Sequence, residues 1–253
     1  MGADDVSSRR PVMPGHGIVA GPGDAEASAV LDEIEHIRHT FHRRSLEEVS
    51  IADRRRYALH HAFARLYLHT TRGWLDFART SNSPAFFYGL IVIFFDIYRR
   101  DVHGNILAPG SSPTPRHWRP YFDVADNASK RPALYVRNVG LFHAARAHTR
   151  HDLEEALVVT YRSFVARREA VPCFETVHAE LLGAASSRLF SAAARDYLSP
   201  LDGHPGKPGR LSGRIGSAFA AARAADAMWL VHFQNWRRQA WMSAVGEITA
   251  PSA

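Results

Sequence analysis

The chain has 253 residues, 46% of them apolar, enough to bury one sizeable core or at most two small ones. Its net charge of +6 admits an anionic partner, but the arginines come in short groups such as Arg54, Arg55 and Arg56, and no long basic run or nucleic-acid motif appears, so nucleic acid is not expected as a partner. The single cysteine, Cys173, excludes an intrachain disulfide and a thiolate zinc cluster, and fits the reducing cytoplasm expected as its location.

Residues 1–23 are rich in Gly, Pro, Ser and Arg, lack an apolar leader segment, and read as a flexible N-terminal arm before an all-helical domain over 24–248. A first helix is expected to begin near Asp24, with Val30, Leu31, Ile34, Ile37 and Phe41 at helical spacing. Ser45-Leu-Glu-Glu48 has the form of a capping box ahead of a long second helix, about 51–79. Ser83 and Pro84 then open a third helix as N-cap and first helical residue. From Ala85 to Tyr98 it is apolar or aromatic on every side apart from Gly89 and Asp96, and Gly104-Asn105 is expected to end it. This run is too short for a membrane span, which needs about 20 residues.

A proline-rich loop over 106–117 leads to a short helix within 118–128 and a helix over about 132–148. Asp152 reads as the N-cap of the next helix, which reaches about Arg168. Further helices are expected over 172–198 and 214–245, separated by a Gly/Pro-rich loop. No segment alternates as a strand does. The expected fold is all-α, a single-domain bundle of seven or eight helices around a central apolar helix at about 84–102.

Helical phase picks out polar residues that should face this interior. They are His60 in the second helix, Asp96 in the third, His148 in the fifth, His178 in the seventh and Asp226 in the eighth. A carboxylate inside an apolar helix costs several kcal/mol unless paired, so Asp96 is expected to have a partner. For each of these residues the plain alternative is a satisfied core or capping residue. The spacing His148-x-x-x-Asp152 would also put two ligand-type side chains on one face if the helix were continuous.

Several segments, taken in order, resemble a known family. They are Phe63-Ala-Arg-Leu-Tyr-Leu68, the apolar helix with Asp96, Trp118-Arg-Pro-Tyr-Phe122, Ala147-His148 with Asp152-Leu153, and Phe174-Glu-Thr-Val-His-Ala-Glu-Leu-Leu182. Together they resemble the bacterial domain-of-unknown-function family 5995 over about residues 55–245. Arg146 and His178 stand where the family pattern has Asn. The resemblance implies a helical fold and draws attention to Asp96, His148 and Asp152; it implies no reaction.

The expected function is an enzyme acting on a small, largely apolar organic substrate, of the kind met in secondary metabolism, by hydrolysis, elimination or cyclisation. His148, Asp96 and Asp226 would do the acid–base work. His60, Tyr67, Phe87, His178, Trp229, Phe233 and Trp236 would line the substrate pocket. No cofactor is expected. One alternative is a hydrolase using zinc or another divalent metal on His148, Asp152 and His178; another is a non-catalytic module binding a small molecule or a partner. No P-loop, GxGxxG, GxSxG or DDxxD motif is present.

Overall fold

The computed structural model describes residues 21–250 apart from 109, 111–112, 184–187, 190–191 and 193–211, and over 212–229 it describes the backbone only. The first twenty residues of the expected arm therefore lie outside it, as does most of the second half of the helix expected over 172–198.

The described elements are all helical, with no strand among the described residues. Helix α1 (Asp24–Glu47) begins where the Gly23 N–H donates to the Glu26 carboxylate at 3.0 Å. Helix α2 (Ile51–Ala78) is capped by Ser50, whose hydroxyl accepts from the Asp53 N–H. The expected capping box at Ser45 does not form, because α1 runs through it and the Ser45 hydroxyl donates to the His42 carbonyl inside that helix. Helix α3 (Pro84–Tyr98) starts at Pro84 as expected. It does not stop at Gly104, which sits at an ordinary helical φ of −58°; a π-helical turn (Arg99–His103) carries it into α4 (Gly104–Leu107).

After α5 (Arg119–Asp126), helix α6 (Ala133–Ala147) passes through a second π-turn (His148–Asp152) directly into α7 (Leu153–Arg167). The break expected at Asp152 is absent. Asp152 has helical dihedrals and its side chain caps nothing, so 133–167 is one widened helix rather than two. Helix α8 (Phe174–Leu182) and the long α9 (Ser212–Thr249) complete the bundle. No described helix is long and apolar enough to cross a membrane.

The interior is built from aromatic residues. Trp118, Tyr98, Tyr121, Tyr161, Phe86 and Phe87 are all fully buried, each contributing roughly 1.5–3 kcal/mol of transfer free energy. Helix α3 packs against α1, α2 and α7, and α9 covers α7, α8 and the second π-turn. Helices α2 and α6 approach closely at Gly140, where an added Cβ would lie 2.7 Å from both Leu59 methyls.

The apolar wrap of α3 is not complete. Ala85, Tyr88, Val92 and Asp96 form an outward strip at i, i+3, i+7, i+11 spacing, and Asp96 ends it. Its side chain is 53% exposed and accepts from Arg99 Nη2 at 2.9 Å. The expectation that Asp96 is an inward carboxylate is overturned: its partner is a surface arginine one turn on.

Candidate active site

The most deeply buried carboxylate among the described residues is Asp152, with none of its side chain exposed. The π-turn that holds it turns three polar residues inward together, His148, Thr149 and Asp152. Such widened turns inside α-helices occur frequently at functional sites. His148 Nδ1 bonds one Asp152 oxygen at 2.8 Å and His117 Nε2 bonds the other at 2.8 Å. The Trp118 indole N–H donates to both, at 3.2 Å each. Two imidazoles and an indole thus satisfy a carboxylate that would otherwise be costly to bury.

The electrostatics follow from this packing. Burial pushes the Asp152 carboxyl up, but the hydrogen bonds and charge of His117 and His148 outweigh it and hold the group below the ordinary carboxylate range. Burial lowers the His148 imidazole below its ordinary value, with Asp152 pulling the other way. His148 is therefore a neutral imidazole near pH 7. Its Nδ1 donates to Asp152, which leaves Nε2 as the lone-pair nitrogen, and Nε2 is buried without a hydrogen-bond partner among the described residues.

The ring is tightly placed. It stacks on Phe94 at 3.7 Å between centroids, and Tyr67 meets it edge-on at 4.6 Å. His148 lines an apolar cavity of about 60 Å³ between α2, α3, the π-turn and α9. Its walls include Phe63, Tyr67, Trp74, Phe87, Phe94 and Phe233, and its polar lining includes Thr70, Thr71, Thr149 and Arg237. Arg237 is fully buried, and its Nη1 donates to the Leu181 carbonyl at 2.9 Å. Burial brings its pKa down to about 10, so it still carries its charge at neutral pH.

Among the expected site residues, His148, Tyr67, Phe87 and Phe233 come together at this cavity. Trp236 packs behind it in a small cluster with Ala145 and Phe233. His60 is buried elsewhere, between α2 and α5, with its Nδ1 bonded to the Tyr121 hydroxyl. His178 is exposed beside Trp241, because only Val177 and Leu181 of α8 turn fully inward. Asp96 lies on the surface. The side chains of Asp226 and Trp229 fall outside the described residues.

The alternative metal set is not assembled: His178 is exposed, whereas His148 and Asp152 are buried and bonded to each other. Among the described residues no three His, Cys, Asp or Glu side chains converge as ligands. Sequence reasoning missed His117, which sits at the end of an aperiodic proline-rich loop. Its one signal was adjacency to Trp118 in a segment already singled out. Against family models, characterised proteins and solved structures the chain shows no match.

Proposed function

We propose that the protein is an enzyme that moves a proton on a small, largely apolar organic molecule bound beside His148. The observation that carries this reading is the pairing of two facts about one ring that lines an apolar cavity: Nδ1 is tied to a buried carboxylate, and Nε2 has no hydrogen-bond partner among the described residues. A neutral imidazole oriented in this way accepts a proton at Nε2, and the Asp152 carboxylate stabilises the imidazolium that forms. In an elimination the proton comes from a substrate carbon and passes to the departing group as the double bond forms. In a hydrolysis it comes from a water whose oxygen bonds the substrate carbonyl as the leaving group departs with the proton.

Arg237 adds a fixed positive charge on the same wall, suited to negative charge developing on a substrate oxygen. The aromatic walls limit bulk solvent, which strengthens both effects. The cavity of about 60 Å³ holds only a few heavy atoms, so a larger substrate requires the half-buried Trp74 and Phe94 to move. Membership of family 5995 and a cytoplasmic setting belong to the same proposal. In its support, the Trp118–Phe122 and His148–Asp152 segments that carry the family resemblance meet at one carboxylate.

The test is esterolysis of p-nitrophenyl acetate, compared between variants. Turnover above background should fall at least about a hundredfold in His148→Gln and persist in His60→Gln. Equal rates in wild type and His148→Gln would sink the assignment. A small apolar ligand that binds the cavity with no turnover in any assay would leave a binding module instead.

A further inference from the structure

On the outer side of Asp152 lies a second, quite different cavity. It is an open basin of about 520 Å³ lined by Arg116, His117, Pro120, His143, Arg146 and His151. We propose that this basin binds the phosphate group of a small molecule. It shares no lining residue with the apolar cavity, so the proposal stands apart from the acid–base reading.

Four observations carry it. First, five of the six side chains named are basic and none is acidic. Second, Arg116 and Arg146 are exposed and make no ion pair or hydrogen bond among the described residues. Arg79, Arg100, Arg150 and Arg167, by contrast, each hold a carboxylate. Third, the floor is fixed: His117 is bonded to Asp152, and its ring lies 4.9 Å from that of His151. Fourth, His143 and His151 are held below their ordinary range by partial burial and then by neighbouring cations, Arg146 acting on both.

Among the described residues, the only carboxylates acting on these rings are Asp123 on His143 and Asp152, whose two oxygens are already engaged by His117, His148 and Trp118. The two guanidinium charges of Arg116 and Arg146 are more than a single carboxylate ligand requires. Guanidinium groups match the oxygens of a phosphate bidentately. The volume falls within the range of small-molecule sites, roughly 300–1,000 Å³.

Inorganic phosphate is the probe, titrated into the full chain at low ionic strength and followed by calorimetry. Saturable binding that weakens with added salt is expected. Arg116→Ala and Arg146→Ala should each weaken it about tenfold, and the double variant should abolish it. Both residues are exposed, so the helical spectrum and melting temperature should not change. No saturable binding up to about 10 mM would overturn the proposal, as would equal binding by wild type and double variant. Sedimentation with phosphatidic acid vesicles identifies the source of the phosphate. Co-sedimentation lost in Arg146→Ala assigns a lipid headgroup, and phosphate binding without co-sedimentation assigns a soluble phosphorylated molecule.

Discussion

His60 and His148 are alike in most respects. Each is buried on a helix among aromatic rings, and each has one bonded nitrogen and an Nε2 without a hydrogen-bond partner among the described residues. They differ in what holds them and what they face. The Tyr121 hydroxyl that holds His60 is neutral, and burial drives His60 well below its ordinary pKa with no carboxylate to oppose it. His148 is held by a carboxylate that opposes the same burial, and it borders a cavity. Burial alone makes an inert histidine. A charged partner behind the ring and space in front of it make one that can exchange a proton.

The comparison can be broken most directly at the ring itself. His148→Gln should lower turnover by about 10²–10⁴-fold while the melting temperature stays near that of wild type; His60→Gln should leave kcat almost untouched. A His60→Gln enzyme as inactive as His148→Gln would erase the distinction.

The partners come next. Asp152→Ala strands two imidazoles and an indole, and should cost about 3–5 kcal/mol in denaturant unfolding. Tyr121→Phe removes one neutral hydrogen bond and should cost about 1–2 kcal/mol. Equal losses would mean that the carboxylate is no more deeply engaged than the phenol.

Acidity sharpens the contrast further. Both histidines have folded-state values below their unfolded value of about 6.5, so between the two values the unfolded chain binds more protons and stability rises with pH. The melting temperature should therefore fall as pH drops from 7.5 through 6.5 to 5.5. His60→Gln should flatten that slope more than His148→Gln, because His60 is depressed without opposition. Asp152 is lowered too and acts with the same sign, but its loss comes only below about pH 4. A slope unchanged in His60→Gln would contradict the burial argument.

The smallest effect belongs to Asp96. Half exposed and paired only with Arg99, it should tolerate Asn within about 0.5 kcal/mol, with no change in turnover. A large loss of activity in Asp96→Asn would restore the carboxylate to the site.

Apolar periodicity made the helices legible, and with them the inward phase of His60 and His148. It misplaced Asp96 because nearly every residue of α3 is apolar, so composition could not mark the outward strip. His178 lies one residue past the buried Val177 on α8, just beyond the edge of a narrow stripe. Asp152 was read as a cap because Asp-Leu-Glu-Glu carries the acidic first turn of a helix start, while the structure uses those residues within a continuous rod. His117 had no period to betray it, since a loop residue is brought to its partner only by tertiary packing.

The widened turn at 148–152 also constrains how this chain can change over generations. Shortening it by one residue would leave a well-formed α-helix, with every backbone bond intact. Each residue advances an α-helix by about 100°, so everything beyond the deletion would swing round the axis. Leu157, Tyr161 and Phe164, buried on α7, would then be aimed away from α3. The packing of α7 and the placement of Asp152 are thus inherited as one unit. A substitution in a cavity wall acts locally, whereas the length of this segment is held by two separate demands at once.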